Sequence, residues 1–158
     1  MEMRPIGVIR SPFHEPEGMP IQPTGAVGVK GTVEVLPEFA EGLQDLDGFS
    51  HVILLYLFDR SVGYKLKVVP FMDTTPRGIF STRAPKRPNP IGMSVVRLEG
   101  IDGRILHVDG VDILDETPLL DIKPYVPAFD APTGCRTGWL KQSGEEAREQ
   151  RSDDRFAG

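Results

Sequence analysis

Proline and glycine interrupt this chain too often for long helices to form. It carries 15 Pro and 17 Gly among 158 residues. Each proline fixes φ and removes a backbone donor, and a glycine inside a helix costs about 0.5–1 kcal/mol relative to alanine. Short strands joined by tight turns tolerate both. With 39% hydrophobic residues, a chain of this length supports one core and not two. The expectation is one compact, mainly β domain, a small barrel or a sandwich with short helices.

The hydrophobic pattern fills in the elements. Arg4 to Ser11 (RPIGVIRS) predicts a first strand, stopped by Ser11-Pro12. Ala26 to Leu36 alternates, with Val27, Val29, Val33 and Val35 on one parity, the mark of a half-buried strand. Pro37 then opens a short helix over Glu38 to Leu46, with Phe39, Leu43 and Leu46 on one face, and Gly48 ends it. Phe49 to Phe58 (FSHVILLYLF) is almost continuously apolar and predicts a strand buried on both faces. Further strands are expected at Tyr64 to Val69, Gly78 to Ser81, Met93 to Glu99, Ile105 to Asp109 and Leu119 to Ile122, with turns at Asp102-Gly103 and Asp109-Gly110. After Trp139 the sequence turns polar. That divides the chain into a domain over 1–140 and a tail over 141–158, read as an exposed helix or a disordered segment.

Composition narrows the setting. The longest apolar run, Val52 to Phe58, falls far short of the roughly 18–20 residues of a membrane span, and no charged-then-apolar leader opens the chain. The expectation is a soluble protein with no membrane partner. The single cysteine, Cys135, has no second thiol, which fits a reducing cytoplasmic setting. The formal charge of -5 argues against nucleic acid at first sight, yet it is unevenly spread. Between Lys65 and Arg104 there are eight Lys/Arg against three Asp/Glu, and elsewhere ten against twenty. Such segregation can place a basic face on an acidic body.

Two stretches carry candidate chemistry. In Ser81 to Ser94 (STRAPKRPNPIGMS), Pro85, Pro88 and Pro90 stiffen a loop bearing Arg83, Lys86, Arg87 and Asn89. A rigid frame presenting guanidinium groups suits a carboxylate or phosphate. In Asp112 to Tyr125 (DILDETPLLDIKPY), Asp112, Asp115, Glu116 and Asp121 could receive a ribose, an amine or a cation, with Lys123 and Tyr125 adding a donor and a stacking ring. No metal is expected there, because no histidine accompanies the carboxylates and the calcium-hand pattern is missing. His14, His51 and His107 lack zinc spacing, and His51, inside the apolar strand, reads as a hydrogen-bonded structural residue. Ser61 and Ser143 lie in no nucleophile elbow, and Cys135 has no nearby His. Neither a Gly-x-Gly-x-x-Gly after a strand nor a phosphate-binding Gly-x-x-x-x-Gly-Lys is present, so no Rossmann domain is encoded.

Taken in order, IGVIRSPF, DGFSHVILLYLF, STRAPKRPNPIGMS and VDILDETPLLDIKPYVP resemble the TsaA-like family (TrmO), tRNA methyltransferases of bacteria and archaea. The resemblance spans about Arg4 to Asp130. It implies a single small β-barrel, usually a homodimer, that binds S-adenosylmethionine without a Rossmann domain. It further implies methylation of the exocyclic amine of threonylcarbamoyl-modified adenosine beside the anticodon in tRNA. Carried over by position, the cofactor would lie among Pro20, Ile21, Gln22, Asp59, Arg60, Arg83, Met93, Asp112, Ile113, Leu114, Asp115, Glu116 and Thr117. Lys86, Arg87 and Asn89 would meet the tRNA anticodon loop, and Asp121, Lys123 and Tyr125 would stand nearest the chemistry. Two positions depart from the family's usual residues. Ala84-Pro85-Lys86-Arg87 replaces Ser-Pro-Phe-Arg, and Glu116 stands where glycine is common.

A methyl transfer needs the nucleophile in line with the methyl carbon, and positioning alone supplies ~7–11 kcal/mol. The carbamoylated amine is a poor nucleophile, so a group should accept its proton or orient its lone pair. Asp121 or Tyr125 is the candidate, with Lys123 or Arg83 holding the threonyl carboxylate. A nucleotide-binding or small-molecule-binding β-barrel module without turnover would use the same basic loop and is the competing reading.

Overall fold

The structure, a computed structural model, describes residues 1–17, 19, 23–71 and 73–140. Pro20, Ile21, Gln22 and the tail 141–158 lie outside the described residues. Among the described residues eight strands form: β1 (Gly7–Arg10), β2 (Lys30–Val35), β3 (His51–Leu57), β4 (Lys67–Val68), β5 (Arg77–Gly78), β6 (Ile91–Asp102), β7 (Ile105–Asp109) and β8 (Thr117–Pro124). Six of them close into an antiparallel barrel in the order β1-β2-β7-β6-β3-β8, while β4 and β5 pair separately as a small flap. The expected mainly β barrel is therefore what forms.

Closure explains the core. Along each strand alternate residues point inward, and the inward set includes Ile9, Val33, Val35, Val52, Leu54, Val96, Leu98, Leu106, Val108 and Leu119. The long β6 serves two neighbours, pairing first with β3 and then, past a bulge between Leu98 and Gly100, with β7. A bulge lets a strand bend around a barrel corner. The β6–β7 hairpin turns at Gly103 (φ +63) and Arg104, between the paired Asp102 and Ile105.

Several sequence expectations need correction. β3 is not buried on both faces. Val52, Leu54 and Tyr56 are interior, but His51 is exposed and Ile53, Leu55 and Leu57 are only half-buried on the outside, because among the described residues no second layer covers that side of the sheet. The expected helix is two 3-10 turns, Pro37–Leu43 and Leu46–Gly48. Phe39, Leu43 and Leu46 do pack on the core, so the apolar face was read correctly and the winding was not. The strand expected from Ala26 starts only at Lys30, because Gly28 at φ +88 breaks the extended run. The strands expected over Tyr64 to Val69 and Gly78 to Ser81 shrink to the two-residue β4 and β5, followed by a 3-10 turn at Ile79–Ser81. A four-residue helix, α1 (Pro127–Asp130), was not anticipated.

The inward parity gives a direct test. Leu106 is fully buried and its neighbour Ile105 is 37% exposed. Leu106→Ala is expected to destabilise the protein by about 2–5 kcal/mol, and Ile105→Ala by no more than about 1 kcal/mol, read as urea midpoints.

Candidate functional site at one end of the barrel

Among the polar residues that point into the barrel, Thr117 bonds within its own turn, and two others bond each other. Tyr56 on β3 and Ser94 on β6 are buried, and their hydroxyls lie 2.8 Å apart. The Ser94 hydroxyl donates to Asp112 Oδ1 at 2.7 Å. That fixes the direction of the chain: Tyr56 donates to Ser94, which donates to Asp112. Gly92, one inward position before Ser94, makes room for it, because a Cβ there would overlap the Tyr56 and Phe58 rings. Burial pushes the Asp112 carboxyl up to about 7, against the opposing pull of the Ser94 hydrogen bond and the Arg83 charge. Burial likewise pushes the Tyr56 phenol up, reinforced by Asp112. Arg83, exposed on the proline-rich loop, acts on both groups. A hydroxyl chain and a carboxyl thus meet at one end of the barrel, within the field of the Arg83 charge.

The segment from Asp112 to Thr117 is tied down elsewhere along its length. Asp115 Oδ1 accepts the Ser11 N–H at 3.1 Å, its Oδ2 lies 3.6 Å from His14 Nδ1, and its N–H donates to the Phe13 carbonyl. Arg60 donates to the carbonyls of His14 and Asp115. Arg60 and Asp115, both placed at the cofactor from sequence, are thus joined to each other and to the loop after β1. The Ile113 side chain belongs to the core, and the Thr117 hydroxyl donates to the Leu114 carbonyl. Glu116 sits at φ +64, the left-handed region where a side chain is disfavoured and glycine is at ease. Its carboxylate reaches Arg10 at 3.2 Å.

The proline-rich loop is held from within. Arg87 Nη1 donates to the carbonyls of Ile79, Thr82 and Ala84, so this guanidinium, a substrate-contact candidate from sequence, braces the backbone that presents Arg83. Lys86 is half-buried and Asn89 is exposed. Asp59, another cofactor candidate, is also exposed, just past β3.

Asp121, Lys123 and Tyr125 form a different group. A bulge in β8 opposite Leu55 and Tyr56 sets the register Leu55↔Asp121 and Ile53↔Lys123, which turns Asp121 and Lys123 outward. Lys123 Nζ lies 3.0 Å from Asp121 Oδ2, and Tyr125 meets His51 edge-on at 6.2 Å. His51 is hydrogen-bonded, as expected, through the Ser50 hydroxyl at 2.8 Å, but on an exposed surface. Met93 is opposite Leu55, so it shares the outer row of Asp121. The Asp112 group and the Asp121 group therefore lie on opposite faces of one stretch of β3. A separate open groove lined by Arg10, Lys30, Thr32, Glu99 and His107 includes none of these residues, and its Arg10 and Lys30 are both taken up in ion pairs.

Residues 8–131 match the family model of the tRNA-methyltransferase O N-terminal domain. The chain belongs to the TrmO family. A Pyrococcus abyssi protein named as a probable S-adenosyl-L-methionine-binding protein is 55% identical over 97% of this chain and 83% of its own length. The mouse tRNA (adenine(37)-N6)-methyltransferase is 38% identical over 81% of this chain and 31% of its own. The crystal structure of TrmO from Pseudomonas aeruginosa superposes with a TM-score of 0.75 at 45% identity, covering 88% of this chain and 62% of that one. Against several of these relatives, then, this TrmO-family chain spans only part of the length.

Sequence reasoning missed Tyr56 and Ser94. Tyr56 is hidden in an apolar run, where an aromatic residue reads as core. Ser94 did carry a signal: it falls on the inward parity of Gly92, Val96 and Leu98, and a polar residue on such a parity needs a partner.

Two predictions follow from this geometry. An acid whose folded value lies near 7, above the ordinary 3.8, contributes stability in full below the unfolded value and loses it as pH rises through about 7. Asp112→Asn is expected to flatten that decline, read by thermal melts from pH 4 to pH 8. At Glu116, the Gly substitution is expected to leave stability within about 1 kcal/mol, whereas Glu116→Val lowers it by roughly 1–2 kcal/mol, because a β-branched residue tolerates positive φ least. Urea melts of the two variants check this.

Proposed function

We propose that this chain transfers a methyl group from S-adenosylmethionine to the exocyclic amine of the adenosine following the anticodon in tRNA, with the threonylcarbamoyl-modified adenosine as its substrate form. The observation that carries the reading is the buried hydrogen-bonded chain from Tyr56 through Ser94 to Asp112 in a barrel of this family. S-adenosylmethionine bears an ammonium, a sulfonium and a carboxylate. A guanidinium to donate to the carboxylate and a carboxyl group to accept from the ammonium are what such a zwitterion requires, so the residues fit it. When bound, the cofactor supplies the electrophilic methyl carbon.

The remaining work falls to the protein. Asp112 is the anchor for positive charge. A cation beside it draws its proton off, so cofactor affinity is expected to rise as pH passes through about 7. Arg83 answers the cofactor's negative end, and the Arg87 brace holds its loop in place. Asp121, 3.0 Å from Lys123 Nζ, accepts the proton of the target amine through its carboxylate. With Arg83 engaged by the cofactor, Lys123, on the outer row beside Asp121, is the partner for the threonyl carboxylate, and Lys86 and Asn89 meet the RNA.

Because Asp121 and Asp112 face opposite sides of β3, one chain does not present both to the same space. We therefore include a homodimer in the proposal, with the outer row of Met93, Leu55 and Asp121 on one subunit turned toward the barrel end of the other. The half-buried Ile53 and Leu55 beside the exposed Met93 and Ile91 supply an apolar surface for that contact. A cytoplasmic setting with tRNA as partner completes the reading.

The test is nucleoside mass spectrometry of a threonylcarbamoylated anticodon stem-loop incubated with the protein and S-adenosylmethionine. The expected result is a methylated modified adenosine. Asp121→Asn should lower kcat by about 10²–10⁴-fold with little change in cofactor affinity, and Asp112→Asn should weaken cofactor binding and abolish its pH dependence. Cofactor binding without any methylated product would instead support a binding module.

A further inference from the structure

The flap beside the site carries features that neither the cofactor nor the transfer chemistry uses. Tyr64, Leu66 and Phe80 are exposed at 59%, 62% and 76%, unusual for large apolar side chains. The backbone brings their segments side by side. Lys65 N–H donates to the Lys86 carbonyl at 3.2 Å, Ile79 N–H donates to the Leu66 carbonyl at 2.9 Å, and Lys67 pairs with Gly78 across β4 and β5. Beneath them Val68, Ile79 and Ala84 form a small buried cluster, so the strip has its own anchor. Trp139 docks at its side, donating to the Ser81 carbonyl under the Arg77 guanidinium. Even so, the Phe80 ring is left uncovered among the described residues.

Charge identifies the occupant. Between Val62 and Pro90 the only acidic residue is Asp73, and it is taken by Arg77 at 2.6 Å. Lys65, Lys67, Arg83 and Lys86 form no ion pair among the described residues. A protein partner's interface core would be depleted of lysine. Exposed rings set among uncompensated cations are the arrangement that holds single-stranded nucleic acid, with bases stacked on the rings and phosphates on the cations.

We propose that the strip formed by Tyr64, Lys65, Leu66, Lys67, Phe80 and Lys86 is a stacking platform for unpaired bases of the RNA loop. Arg83 joins the platform to the Asp112 end of the barrel, so a loop whose bases stack on Phe80 and Tyr64 has a neighbouring nucleotide within reach of the site. The proposal rests on the tRNA reading above and adds the surface that would grip the loop.

The test measures binding of the full-length protein to a synthetic anticodon stem-loop and to a fully paired duplex of equal length. Phe80→Ala and Tyr64→Ala are each expected to weaken stem-loop binding by roughly 5- to 150-fold, the range for loss of one stacked base. Duplex binding should be little changed. Phe80→Tyr and Tyr64→Phe, which keep the rings, should restore stem-loop affinity, and melting temperatures should stay at the wild-type value. Lys65→Ala and Lys67→Ala should weaken both RNAs and reduce the salt dependence of binding. Wild-type stem-loop affinity in both alanine variants overturns the platform while leaving methyl transfer intact. A change in sedimentation with RNA affinity unchanged overturns it too, by making the strip a contact between copies of this chain. A wild-type protein that binds neither RNA overturns the platform together with the tRNA reading.

Discussion

The double pairing of β8, with β1 on one side and β3 on the other, is the constraint from which the rest of the structure follows. It closes the sheet and removes the free edges that an open sheet of six strands would expose. It also sets the inward parity of every strand, so the barrel interior is filled by branched apolar side chains and leaves little room for a ligand. Function has to be built on the barrel's ends and outer surface. The bulge opposite Leu55 and Tyr56 matters for the same reason. It changes the phase of β8, so that Leu119 faces the core while Asp121 and Lys123 face out.

The proline-rich loop solves a second problem, that of presenting a cation without a regular element beneath it. Its prolines restrict the backbone, but proline alone does not choose one conformation. Arg87 supplies what the prolines do not, by gathering three carbonyls of the same segment onto one nitrogen. A charged donor on several carbonyls is stronger than a neutral bond. One of the two arginines read from the sequence as anion ligands is thus engaged by its own loop, and Arg83 is left to meet the ligand. Sequence composition could not distinguish the two arginines, since they differ only in what the folded loop places around them.

The same contrast governs what was legible in advance. Parity was legible: Val33 and Val35 were placed inward from alternation alone, and the Ile105 to Asp109 strand was placed with its observed bounds. The fold class followed from proline, glycine and short strands. Element ends near glycine were less legible, as at Gly28, because a positive φ depends on which turn the chain adopts. The 3-10 winding of Pro37 to Leu43 was hidden because an apolar residue every three or four positions fits both kinds of helix. Least visible was the Tyr56–Ser94–Asp112 chain, whose members lie 38 and 18 residues apart and meet only once the barrel has closed. The unusual residue at Glu116 was noticed as a departure from a family's glycine, and its φ of +64 supplies the reason glycine suits that place.

That hydroxyl chain also bears on why such an interior persists. A carboxyl raised to about 7 is one that the fold holds against the cost of desolvation, and apolar groups of similar shape in place of a buried polar cluster are often neutral or stabilising. Nothing in the packing of the barrel requires Tyr56 and Ser94 to be polar, since their neighbours Leu54 and Val96 fill equivalent inward positions with hydrocarbon. The cost is localised at the end of the barrel nearest Arg83. Local departures from the rules of a stable core tend to gather where a protein acts. Here the departure delivers a carboxyl poised between its two protonation states, aimed by a fixed donor and within the field of the exposed Arg83 charge. Such a group responds to a ligand's charge far more than a carboxylate already committed to an ion pair, and that responsiveness is the functional reason to keep it.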